Sequence, residues 1–144
     1  GSLQLNIQEL ATVMRHQLPI KFLLINNHGH SMVQQTQEMW LGANYYATSV
    51  EGGLAFPDFA AVARAYGFPT ETLLWNNEVE EKLNLAVRSE GPFFLNIEID
   101  PKHRVIPQAQ FGRPNEDASP LLDRAEFLSN MIVKPLPLSV QDTP

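Results

Sequence analysis

The feature that most constrains this chain is the run Ile20-Lys21-Phe22-Leu23-Leu24-Ile25, which shows no polar alternation and ends in Asn26-Asn27-His28-Gly29. A strand with one wet face alternates polar and apolar residues. One this apolar is covered on both faces, the condition of a parallel sheet. Parallel strands need long crossovers, usually helical, and the neighbouring patterns supply them. Over residues 6–18, Ile7, Leu10, Ala11 and Met14 form one stripe, Asn6 and Glu9 stand in a capping arrangement, and Pro19 stops the helix. Residues 31–41 predict a short helix and 42–56, with three Gly and two adjacent Tyr, a loop. Residues 57–66 predict a helix with the stripe Phe59, Val62, Ala63 and Tyr66, closed by Gly67. A short strand follows at 70–75. A helix then starts at Asn77 and Glu80 and buries Val79, Leu83, Ala86 and Val87, and residues 93–99 form a strand. Strands separated by helices define the expected fold class: α/β, a doubly wound, mostly parallel sheet with helices on both faces.

Residues 101–144 differ. They hold seven of the 11 prolines yet keep Phe111, Leu121, Leu122, Phe127, Leu128, Met131 and Ile132. A free disordered tail carries fewer large apolar groups. The expectation is a domain over 1–100 and, over 101–144, an extended Pro-rich arm that docks on a surface and has one short helix near 123–131.

Ten basic against 16 acidic residues, a net charge of −6, exclude nucleic acid and anionic membranes as general partners. The chain has no Cys, which removes disulfides, thiolate metal sites and thiol nucleophiles. Apolar runs such as 22–25 fall far short of the ~20 residues of a membrane helix, and the first residues have no signal-peptide pattern. These facts point to a soluble, cytoplasmic domain.

Ligands of open α/β sheets bind at the carboxyl ends of the strands. Here the most polar such end is residues 26–31. An amide oxygen from Asn27 and a main-chain oxygen at Gly29 are suitable ligands for Mg²⁺, which takes its remaining oxygens from phosphate and water. The plain alternative is an ordinary Asn/Gly turn. Gly1-Ser2, immediately before a helix, is a candidate anion site, or a cloning remnant. His28 and His30 are candidate acid–base groups, or loop histidines that hydrogen-bond or face solvent. Gln34, Gln35 and Gln37 fit a solvated helix face better than a substrate contact, and Trp40 and Trp75 are expected to be buried.

Together these residues carry a resemblance. Gly1-Ser2, then Asn6-Ile7-Gln8-Glu9-Leu10, an apolar strand and Asn26-Asn27 resemble the second half of the thiamine-diphosphate motif Gly-Asp-Gly-Ser…Asn-Asn. The following Asn27-His28-Gly29-His30-Ser31-Met32-Val33, Ala65-Tyr66-Gly67 and Gly91-Pro92…Asp100-Pro101 are similar to the C-terminal cofactor-binding domain of the acetolactate synthase and 2-oxo acid decarboxylase family, over residues 1 to about 107. The resemblance implies thiamine diphosphate and Mg²⁺ as cofactors. Gly1 and Ser2 would lie against the diphosphate. Asn27 through its side chain and Gly29 through its carbonyl would hold the metal. Met32 would sit beside the cofactor and, with Val33, near the substrate pocket.

The implied reaction is decarboxylation of a 2-oxo acid with carboligation, in which the cofactor takes up the electrons left by CO₂. The Asp that the motif places just before Gly1 is outside the chain, as are the pyrimidine-binding and middle domains of such enzymes. Thr36 stands where the synthases often carry Trp. The chain is therefore expected to be an inactive fragment of a larger enzyme, a homo-oligomer. The other reading is a non-catalytic α/β module that keeps the fold as a binding or assembly surface.

Overall fold

The computed structural model describes residues 1–140, and these divide into two compact units, residues 1–103 and the remainder. The first unit is an α/β domain around a three-stranded, fully parallel sheet of β1 (Lys21–Asn26), β2 (Thr70–Leu73) and β3 (Phe93–Glu98), in the order β1-β3-β2. Phe22 stands opposite Phe94, Leu24 opposite Asn96 and Asn26 opposite Glu98. Strand side chains alternate between faces, so Phe22, Leu24 and Phe94 face one side and Phe93 and Leu95 the other.

The first side is covered by α2 (Glu9–His16) and α4 (Phe59–Ala65), which bring Leu10, Val13, Phe59 and Ala63 onto Phe94 and Phe68. Phe22, Phe68 and Phe94 pack with centroids 5.6–6.3 Å apart, the range of favourable aromatic pairs. The second side is covered by α5 (Val79–Arg88), whose Ala86 lies with Leu73, Phe93 and Leu95. Helices thus lie on both faces, as the apolar strand run requires. At the amino end of the sheet, the Lys21 ammonium donates to Ser89 O at 2.6 Å and to Gly91 O, tying the start of β1 to the turn before β3.

Several local expectations are corrected. The first helix does not start at Asn6. A four-residue α1 (Ser2–Leu5) ends there, and α2 begins at Glu9 with no side-chain cap. The buried stripe accordingly uses Val13, while Ala11 is exposed. The helix closes at Gln17, in the left-handed conformation at φ 50°, two residues before Pro19. Gly67 at φ 92° closes α4 and lets the Phe68 N–H reach Ala63 O at 3.0 Å. Val87 is exposed rather than part of the α5 face. Trp75 is 68% exposed and Trp40 38%, so neither indole is buried. Trp75 lies outside β2, at the start of a short 3₁₀ turn, where the Glu78 carboxylate accepts the Leu74 and Trp75 N–H groups at 3.1 Å. Those bonds, that from Leu74 first, hold the Glu78 carboxyl below the usual range.

In the second unit, Gln108 and Ser119 form an antiparallel bridge. The helix expected near 123–131 spans Arg124–Asn130 (α6), capped by Asp123, and α7 follows at Pro137–Val140; the final residues of the arm, 141–144, lie outside the described residues. These elements meet at Asp117, 2% exposed, which accepts from Arg124 at 3.1 Å and from Arg113. Arg124 also donates to Ser139 O at 2.9 Å, and the Glu116 carboxylate accepts the Leu136 N–H at 3.1 Å. Arg124, and after it Arg113, hold the Asp117 carboxyl below its ordinary range against the opposing effect of burial.

Because the folded pKa lies below the unfolded one, this stabilisation is complete above the unfolded value of about 3.9 and is lost as pH falls through the folded value. Asp117→Asn leaves two guanidiniums without their counter-charge and should cost the second unit about 3 kcal/mol at neutral pH. Hydrogen exchange across residues 104–140 checks this: faster exchange in the variant at pH 7, with the difference shrinking below about pH 4.

Candidate functional site

Strand β1 delivers residues 27–30 to the carboxyl edge of the sheet, where the chain turns into α3 (Ser31–Trp40). Asn27 is oriented from both ends of its amide. Its Nδ2 donates to Ser31 Oγ at 2.6 Å, and its Oδ1 accepts a long bond, 3.3 Å, from the Gly29 N–H. So long a bond is weak and leaves the oxygen available to another partner. His28 makes the turn at φ 53°.

Gly29 is required by crowding. A Cβ there would lie 2.7 Å from Gln34 Nε2 and 3.0 Å from the Thr48 carbonyl oxygen. That same carbonyl accepts from Gln34 Nε2 at 2.5 Å and from the His30 N–H at 3.0 Å. The loop 42–54 is in this way fastened to both the bend and the helix. Thr48 Oγ1 adds a bond to Gln37 Oε1 at 2.6 Å, and the Tyr45 hydroxyl one to Glu38 at 2.8 Å.

These contacts overturn the expectation of a solvated glutamine face. Gln34, Gln35 and Gln37 are buried, while Met32 and Val33 are exposed. Helix α3 is inverted: its amides satisfy loop carbonyls, and its apolar groups face outward. The signal was present in Gln34-Gln35-Thr36-Gln37 beside a long loop, but polarity alone does not distinguish water from a carbonyl as the partner.

A cavity of about 440 Å³ opens at this edge. Its lining brings together Gly1, Ser2, Asn27, Gly29, His30 and Met32. The His30 ring stands edge-on to Phe56 at 5.9 Å and fills the space a Cβ on Gly1 would need, 2.6 Å from that position. His28 is not in the lining. It turns away, and its Nε2 lies 2.5 Å from Glu98 Oε2, so the structure separates the two histidines. Ser2 begins a helix of only four residues, not the long helix expected there. The dipole of a full helix therefore does not back Gly1-Ser2.

The cavity's donors fit a divalent metal with a diphosphate. The Asn27 amide oxygen, with spare capacity, stands two residues from the Gly29 carbonyl, and both are hard oxygen ligands of the kind Mg²⁺ prefers. A small parallel sheet with a hollow at its carboxyl edge, where Ser2, Asn27, His30 and Ser31 meet Leu24, Met32 and Val33, defines the class: an α/β domain of the kind that takes ligands at strand ends. Residues 1–97 match the family described as thiamine pyrophosphate enzyme, C-terminal TPP binding domain, and the chain belongs to that family.

Relatives include the acetolactate synthase isozyme 2 large subunit of Escherichia coli (strain K12), 34% identical over 117 residues, covering 81% of this chain and 21% of the relative. The acetolactate synthase large subunit of Buchnera aphidicola subsp. Schizaphis graminum is 38% identical over 120 residues, covering 81% and 20%. That of Pyropia yezoensis is 32% identical over 115 residues, covering 80% and 19%. The chain spans about a fifth of the length of these relatives.

Gly29→Ala puts a methyl group against the Thr48 carbonyl, which is backbone and cannot swing aside. The expected result is a drop in melting temperature of several degrees, on the scale of about 1–2 kcal/mol, with faster hydrogen exchange in both 27–31 and 42–54. Unchanged exchange in the loop would show that Thr48 is not the anchor.

Proposed function

We propose that residues 1–103 hold Mg²⁺ and the diphosphate of thiamine diphosphate within a larger enzyme that acts on 2-oxo acids by decarboxylation and carboligation. The observation that carries this reading is the placement of Asn27 and Gly29 together in the lining of one cavity at the carboxyl edge of the sheet. The family match and the acetolactate synthase relatives support the choice of cofactor and reaction. Bound there, the cofactor would supply the electron sink for loss of CO₂.

This chain's residues do the positioning. Asn27 and the Gly29 carbonyl hold the metal, and Ser31 and the Gly29 N–H hold Asn27. Gly1, which the His30 ring packs against, and Ser2 line the diphosphate end. Met32 and Val33 present apolar surface to the substrate side and keep water from it. His30 lines the cavity and is the histidine placed to move a proton; His28, paired with Glu98, is not. No helix among the described residues is long and apolar enough to cross a membrane.

Calorimetric titration of thiamine diphosphate with Mg²⁺ into the full-length protein carrying these residues tests the reading. Saturable heat is expected, and Asn27→Ala should weaken binding by about 100-fold or more, beyond what loss of an outer-shell partner costs. Silence in the wild-type protein would favour the non-catalytic module instead.

The assembly is proposed to be a homo-oligomer. On β1 the side chains that share the α5 side of the sheet, Leu23 and Ile25, remain 45% and 55% exposed, apolar surface of the kind that interfaces take up. Light scattering of the full-length protein should give a dimer or larger. A monomer at high concentration, with Leu23→Ser leaving solution behaviour unchanged, would contradict it.

A further inference from the structure

The carboxyl edge of the sheet holds a second polar cluster that the cavity does not contain. Glu98, on β3, stands opposite Asn26 across the parallel pair. Its Oε1 accepts from Asn26 Nδ2 at 2.9 Å, and its Oε2 lies 2.5 Å from His28 Nε2. One carboxylate therefore grips the residues immediately before and after Asn27. Residue 28 is where the backbone enters the left-handed region, φ 53°, a conformation that costs a non-glycine residue free energy unless surrounding contacts hold it.

A second amide steadies the carboxylate. Asn96 Nδ2 donates to Glu98 Oε1 at 2.7 Å. Asn96 is only 5% exposed, and its Oδ1 has no partner. A buried amide with an orphan oxygen is a cost that an apolar residue at the same place would avoid. Here its other end is committed to Glu98. The backbone adds one further tie, from the Ile99 N–H to Asn26 O at 3.1 Å.

We propose that Glu98 is a positioning residue: by clamping Asn26 and His28 it holds the bend so that Asn27 Oδ1 and the Gly29 carbonyl face the cavity together before any ligand arrives. The role rests on the Mg²⁺–diphosphate reading above. It assigns Glu98 no contact with cofactor or substrate. It assigns His28 a structural part in the clamp in place of acid–base work. Preorganisation of this kind raises affinity by lowering the ordering cost of binding, and outer-shell partners of metal ligands act this way.

The experiment uses the full-length protein as wild type, Glu98→Ala and Glu98→Gln, with three readouts: melting temperature, hydrogen exchange at 26–31 without ligand, and Mg²⁺ affinity by calorimetry at saturating thiamine diphosphate. Glu98→Ala should speed exchange at 27–30 and weaken Mg²⁺ binding about tenfold or more. Glu98→Gln keeps an acceptor for Asn26 and gains a donor for neutral His28, and should stay within about threefold of wild type. Turnover at saturating Mg²⁺ should be nearly unchanged in both, because the clamp acts on occupancy.

A lowered melting temperature with unchanged Mg²⁺ affinity in Glu98→Ala would overturn the proposal and leave Glu98 a sheet-edge contact. If Glu98→Ala does not fold, His28→Asn decides: Asn tolerates the left-handed backbone but releases Oε2, and unchanged affinity and exchange there are equally fatal. Wild-type protein that takes up neither Mg²⁺ nor thiamine diphosphate refutes the cofactor reading itself, and the clamp's role toward that group with it. Binding that is tight in wild type and in Glu98→Ala alike refutes only the clamp.

Discussion

The parallel pairing of β1 with β3 determines what the rest of the first unit can be. In that register Phe22 meets Phe94 near the amino ends and Asn26 meets Glu98 at the carboxyl ends, all on the face covered by α2 and α4. One face of the sheet is thus apolar at one end and polar at the other. The aromatic cluster of Phe22, Phe68 and Phe94 fixes the strands, and the amide and carboxylate groups beyond it fix the bend that follows. A slip of one residue would turn Phe94 away from α2 and α4 and carry Glu98 to the α5 face. The apolar half and the candidate site are therefore specified by the same pairing.

Much of this was legible in the residues. The run from Phe22 to Ile25 required cover on both faces, and the helical stripes around it supplied the crossovers. The parallel sheet follows from those two facts. Periodicity misplaced details where a local interaction competes with the pattern. The stripe from Ile7 to Met14 is nearly continuous, yet the chain breaks at Asn6 and restarts at Glu9, so Val13 and not Ala11 is buried. Helix α3 was misjudged for a more general reason. Counting polar residues as wet fails when a long loop brings its own unpaired carbonyls, and Gln34 serves the Thr48 carbonyl better than water would. Trp75 shows the converse, a large indole left exposed beyond the end of a strand only four residues long.

At the site, Asn27 and Gly29 stood out because their residue types suit a hard cation at a strand end, and the motif resemblance singled them out together with Gly1, Ser2 and Met32. Glu98 could not be found that way. It lies 70 residues from His28, and nothing in its own neighbourhood marks it apart from the alternation Phe94, Asn96, Glu98. The link is created by strand register, which a single sequence leaves open. Asp117 and Arg124 are only 7 residues apart, but their pairing depends on how the intervening turn folds; it gives the Pro-rich second unit a charged centre where its composition suggested only an extended arm.

The most direct measurement is a crystal structure of the full-length protein with Mg²⁺ and thiamine diphosphate bound. Asn27 Oδ1 and the Gly29 carbonyl oxygen should both lie about 2.1 Å from the metal, the distance octahedral Mg²⁺ demands, with the diphosphate between Gly1-Ser2 and the bend. A metal bound elsewhere, with Asn27 Oδ1 still turned to the Gly29 N–H, would contradict the account.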